Sequence, residues 1–151
     1  MLNMWITQNF SMSELCKTNT GLPNEPPKHI QVKIRAMARL LQNVRNILGK
    51  PIFVNSCYRS PLVNKAVGGA RTSLHLTGCA ADISIYQYDD ADKAVLERSL
   101  RSYHPIEFIK YDTFWHCAFD FFDPGIRDGN PETFEQKFPD LREPPRTVGD
   151  F

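Results

Sequence analysis

Ser73-Leu74-His75-Leu76-Thr77-Gly78-Cys79-Ala80-Ala81-Asp82 passes from a turn-rich stretch into an apolar strand, carrying a histidine near its start and a carboxylate at its close. The strand is read over 79–86 (CAADISIY). An aspartate in so apolar a run costs several kcal/mol unless it is paired or ligates a cation. The decade therefore predicts both a central strand and something for Asp82 to hold. Upstream, 51–56 (PIFVNS) is short, β-branched and aromatic, which predicts a strand, and 57–78 reads as turns around Gly68-Gly69 and Gly78, glycines taken as architectural. Downstream, 89–103 predicts a helix, with Asp89, Asp90 and Asp92 at its positive end and Arg98 and Arg101 near its negative end. Strands at 106–111 and 114–122 follow, separated by Asp112-Thr113, a hairpin-length gap.

The strongest helix lies N-terminal to all of these. Ile30, Ile34, Met37, Leu41, Val44 and Leu48 recur at steps of three and four over 29–48, with Gly49 placed to cap and Pro51 to stop it. A shorter helix is expected over 11–17, where Ser11 and Glu14 stand at capping-box spacing. The sum is an α+β domain with a small, largely antiparallel sheet and helices packed on it. From 123 the composition changes: five of the last 29 residues are proline. The division is a domain over 1–122 and a Pro-rich extension over 123–151.

Length and charge narrow the class. A chain of 151 residues can bury a core without disulfides. A net charge of +1 argues against a nucleic-acid partner, since such surfaces cluster Lys and Arg. No apolar run reaches the ~18 residues a membrane span needs. The N-terminus lacks the basic start and apolar stretch of a signal peptide, so synthesis is expected to end in the cytoplasm with Cys16, Cys57, Cys79 and Cys117 reduced.

The chemistry is sought around Asp82. His75 is near enough in sequence to fold back onto it, and His116 comes within reach if the last strand neighbours 79–86. Two imidazoles and a carboxylate make a catalytic-type zinc set with a fourth position left for water. Spacing alone leaves two readings open: that set, or a structural His–Asp hydrogen bond with His116 a satisfied core histidine. Cys79 and Cys117 adjoin the candidate ligands and are read as small buried thiols. His29 and His104 are assigned no chemistry.

The order of motifs resembles the family of zinc D-Ala-D-Ala carboxypeptidases and L-Ala-D-Glu endopeptidases. These are peptidoglycan peptidases that include phage endolysins and share a fold with the hedgehog signalling domain. Ser-x-His-x-x-Gly-x-Ala-x-Asp (73–82) and Trp115-His116 carry the resemblance. Asn9-Phe10-Ser11, Pro51-Ile52-Phe53-Val54, Ser56-Cys57-Tyr58-Arg59-Ser60-Pro61 and Asn64-Lys65-Ala66-Val67-Gly68-Gly69-Ala70 extend it over roughly 9–120. The resemblance implies zinc held by His75, Asp82 and His116. It implies Arg59 as the residue that holds substrate and stabilises the oxyanion, and Ser73 as substrate contact or loop support. The implied partner is a peptidoglycan stem peptide, met by a monomer acting on the cell wall, in the manner of a phage lysis enzyme.

The sequence also departs from the family pattern. Relatives place a general-base Glu or Asp three residues before the last histidine, where this chain has Thr113. Asp112, one residue further off, is the expected base, with Glu107 on the neighbouring strand second. Ala118 replaces an Asp, and Cys57 a glycine, found in many relatives. The displaced carboxylate keeps a second function in view: a non-catalytic wall-binding or virion-structural module retaining fold and metal.

Overall fold

The computed structural model describes residues 4–121; the expected extension over 123–151 lies outside them. Four α-helices and four strands follow one another as α1 (Met12–Leu15), α2 (Lys28–Leu48), β1 (Val54–Ser56), α3 (Pro61–Ala66), β2 (Ala80–Ser84), α4 (Asp90–Arg101), β3 (Glu107–Lys110) and β4 (Phe114–Ala118), with a 3-10 turn over Leu74–Thr77. The strands form one open antiparallel sheet in the order β1-β2-β4-β3. The fold is α+β, as read from the sequence.

Apolar periodicity explains the scaffold. In α2, Ile30, Ile34, Met37, Leu41 and Val44 are buried and Leu48 packs against the same core. Gly49 closes the helix in the left-handed conformation (φ 73°), its amide donating to the Arg45 carbonyl. At α4, Asp89 and Asp92 satisfy each other's amides in a capping box. Val54, Ala81, Ile83, Trp115 and Cys117, on one face of the sheet, share a core with the α2 stripe and with Leu96 and Leu100 of α4. Ile6, Phe10 and Leu15 bring the N-terminal segment into that core.

The expected turn-rich stretch 57–78 holds two short helical pieces instead. Ser60 caps α3 by accepting from the Val63 amide, and Pro61 opens its first turn. Ser73 caps the 3-10 turn by accepting from the His75 amide, and Gly78 ends it at φ 73°. The first helix is shorter than expected: Ser11 accepts from the Glu14 amide, but the turn ends at Cys16. The strands are likewise shorter at their ends than the apolar runs that announced them. Among the described residues no helix is long and apolar enough to cross a membrane.

Candidate metal centre

Sheet register brings the candidate ligands together. Asp82 of β2 lies directly opposite His116 of β4, and opposite Ser56 of β1. Directly paired residues share a face, so all three project from the side opposite the Ala81–Cys117 core face. A register shift between Val54 and Ser56 inserts one extra residue in β1 and turns Ser56 onto the Asp82 side. The 3-10 turn carries His75 over the same spot and is tied to it by backbone: the Arg59 amide donates to the His75 carbonyl at 2.9 Å.

The resulting geometry is tight. His116 Nδ1 stands 2.8 Å from Asp82 Oδ1 and His75 Nε2 stands 3.2 Å from the same oxygen. The three residues offer ligand atoms that all lie within 4.8 Å of one another. His75 is 2% exposed and its Nδ1 donates to the Cys57 carbonyl at 2.7 Å. In the neutral imidazole that bond puts the ring hydrogen on Nδ1 and leaves the Nε2 lone pair facing a carboxylate oxygen. It is a buried nitrogen with no hydrogen-bond partner. Two acceptors facing at this distance call for a cation between them, and the N, O, N donor set suits zinc. The site fits the metal that the sequence resemblance implied.

Electrostatics follow from the same contacts. Burial alone would push the Asp82 carboxyl up, but the hydrogen bond and charge of the His116 imidazole overrule it and hold it well below the usual carboxylate range. Asp82 in turn raises His116, against the opposing effect of burial and with help from Glu107. Burial pushes Cys117 up to about 12, and Cys57 and Cys79 upward too. All four cysteines are free and buried, so these thiols stay protonated and offer a metal little.

Arg59 completes the polar wall. Its Nη2 lies 3.6 Å from Asp82 Oδ2, while Nε donates to Ser56 Oγ at 3.3 Å and Nη1 to Asn64 Oδ1 at 3.1 Å. Asn64 is fixed by donating to the Ala70 carbonyl at 2.9 Å. Gly69 leaves the space for this contact: a Cβ there would stand 2.1 Å from Asn64 Oδ1 and 2.8 Å from Arg59 Nη1. Asn24, buried in the preceding loop, donates to the carbonyls of Cys16 and Tyr58 and accepts from the Ser60 amide, pinning the Tyr58–Ser60 segment from outside. Neither asparagine carries a periodic or spacing signal, and sequence reasoning passed over both as functional supports.

These groups line a cleft of about 320 Å³ formed by Arg59, Ala70, Ser73, Leu74, His75, Asp82, Glu107, Tyr111, Phe114 and His116. Tyr111 and Phe114 stack at 4.6 Å on its flank. Ser73 therefore reaches the cleft while its hydroxyl caps the His75 turn. Of the two carboxylates weighed as base, Glu107 lines the cleft and lies 2.8 Å from His116 Nε2. Asp112 is exposed in the β3–β4 turn, between two cleft residues but not itself among them.

A model of the peptidase M15 family matches residues 8–118, a span that includes every residue of the cleft. Over 78 residues the chain is 36% identical to the zinc D-Ala-D-Ala carboxypeptidase of Streptomyces albus G, a match covering 50% of this chain and 31% of that protein. The chain thus spans about a third of the length of this curated relative.

Proposed function

The chain belongs to the peptidase M15 family, and on that premise we propose that it is a zinc metallopeptidase hydrolysing a peptide bond in peptidoglycan stem peptides, of D-Ala-D-Ala carboxypeptidase or L-Ala-D-Glu endopeptidase type. One observation carries the reading: the unpartnered, buried Nε2 of His75 faces Asp82 Oδ1 beside His116 Nδ1, in a cleft also lined by an arginine.

His75, Asp82 and His116 would hold the metal. A zinc ion bound there supplies a Lewis acid for the scissile carbonyl and an activated water as nucleophile. The chain's own groups do the rest. Arg59, braced by Ser56 and Asn64, offers a fixed fork to a substrate carboxylate or to the oxygen that gains charge in the transition state. The stacked Tyr111 and Phe114 wall the cleft and exclude water from one side of a bound peptide. Proton transfer needs an acceptor within ~3 Å of the attacking water. Asp112, exposed beside the cleft, would serve as that acceptor only if its turn rearranges on substrate binding. Asp112→Asn would then abolish turnover and leave zinc affinity intact. A wall-degrading role, phage-encoded lysis among such roles, belongs to the same reading.

The experiment is mass spectrometry of muropeptides incubated with the purified, zinc-loaded protein, with chelator and His75→Ala as controls. We expect a new product of defined mass that chelator and His75→Ala both abolish. Intact muropeptides together with retained binding to sacculi would point instead to a non-catalytic wall-binding module, the alternative that Thr113 at the usual base position favours.

A further inference from the structure

We propose that Glu107 is a positioning residue: its carboxylate holds the hydrogen of His116 on Nε2 and so delivers Nδ1 to the metal. The inference rests on the metal reading above and goes further, because it gives the edge-strand carboxylate a task other than proton transfer to water.

The argument is one of donors and acceptors. His116 lies between two carboxylates, with Nδ1 2.8 Å from Asp82 Oδ1 and Nε2 2.8 Å from Glu107 Oε1. As a metal ligand the imidazole is neutral and has one hydrogen to give. If Nδ1 carries it, Nε2 faces Glu107 lone pair to lone pair, and Nδ1 is lost as a ligand. If Nε2 carries it, Glu107 is satisfied and the Nδ1 lone pair turns to Asp82 Oδ1, where the lone pair of His75 Nε2 already points. Only the second arrangement gathers three acceptor atoms about one point. Glu107 then does for His116 what the Cys57 carbonyl does for His75, which is to take the outward N–H and leave the inward nitrogen bare. Outer acceptors of this kind set the tautomer and orientation of metal-bound histidines.

Register puts the carboxylate there. Ile109 pairs directly with His116 and Glu107 with Ala118, so Glu107 sits diagonally across from His116 on the same face of the sheet. The side chain is 46% exposed at the open edge, so its removal opens no core cavity.

The test is zinc affinity, measured on metal-free protein by competition with a chromophoric chelator, for wild type, Glu107→Gln and Glu107→Ala. Glu107→Ala is expected to weaken zinc binding by roughly 10- to 100-fold. Glu107→Gln, whose amide oxygen still accepts from Nε2–H, should stay within about threefold of wild type, rescuing what alanine loses. Imidazole 15N spectra of the zinc-loaded proteins should place the His116 hydrogen on Nε2 in wild type and Glu107→Gln. Alanine binding zinc as wild type does, or glutamine losing as much as alanine, overturns the proposal. A Glu107→Gln variant with normal zinc affinity but no turnover, and no Nε2 hydrogen in wild type, would make Glu107 the base and overturn it as well. Wild type failing to take up zinc would bring down the metal reading itself, a result distinct from all of these.

Discussion

Substituting Gly78 by alanine should cost the protein stability and zinc affinity together, and the size of the loss can be worked out from two glycines. Gly78 ends the His75 turn at φ 73°, its amide donating to the His75 carbonyl at 3.2 Å. A Cβ there would lie 2.7 Å from Ile34 Cγ1, in the fully buried stripe of α2. Gly68 has nearly the same backbone (φ 74°) but would point its Cβ into open space. Gly68→Ala therefore pays only for an L-residue in the left-handed region, about 1–2 kcal/mol. Gly78→Ala pays that and the overpacking of Ile34, roughly 1–3 kcal/mol more. The difference between the two variants isolates the packing contribution. Denaturant unfolding of metal-free protein should show Gly78→Ala less stable than Gly68→Ala by at least ~1 kcal/mol. Because the same turn carries His75, only Gly78→Ala should also weaken zinc binding. Equal midpoints for the two variants would refute the claim that α2 sets the height of the His75 turn.

Three further outcomes follow from the site. Gly69→Ala, whose Cβ would collide with Asn64 Oδ1 and Arg59 Nη1, should lose about 1–3 kcal/mol in thermal unfolding and raise KM more than it lowers kcat. Arg59→Lys gives up the bonds to Ser56 and Asn64 together with the fork. It should lower kcat/KM on muropeptide substrates by roughly 10- to 100-fold, the worth of one charged hydrogen bond, with zinc content unchanged. Metal-free protein should show a pH signature with two signs. The raised His116 adds stability that is complete below its unfolded value of about 6.5 and lost as pH climbs through its folded value. The depressed Asp82 adds stability that is present above about 3.9 and lost as pH falls through its lowered value. Calorimetry with His116→Gln as reference should place the pair's contribution at its maximum between about pH 4 and 6.5, and the gain on adding zinc should grow above that window.

What was legible in the chain and what was not divides along the range of the interactions. The α2 stripe and its Gly49 stop, α4 with acids at its start and bases at its end, and the hairpin about Asp112-Thr113 are local patterns, each decided by residues within a turn or two, and all four stand in the fold. His75 and Asp82 were visible for the same reason, since one turn and one strand separate them. The helix α3 was passed over although Ser60 and Pro61 announce it, because six residues before a Gly68-Gly69 pair are too few for an apolar period to rise above the turn signal. The groups that orient the site act across the sheet or between loops and leave no local trace. Asn24 ties together the carbonyls of Cys16 and Tyr58, far apart in the chain, Asn64 reaches back to Arg59, and an added residue in β1 swings Ser56 into place.

Glu107 shows the limit most clearly. Read along the chain, it is the second candidate for general base, on the strand beside the one that carries His116. Its place diagonal to His116 depends on the β3–β4 register, which the length of the turn sets and no residue of β3 reveals. A sequence can thus single out candidate ligands for a cation while staying silent on which ring nitrogen each presents. That choice is made by outer acceptors, here a backbone carbonyl at Cys57 and a carboxylate at Glu107. A carbonyl is supplied by any residue whose backbone follows the same path, so Cys57 in place of the usual glycine leaves that bond available. The carboxylate has no such substitute, and in this chain the specificity of the His116 contact rests on one side chain at an open edge.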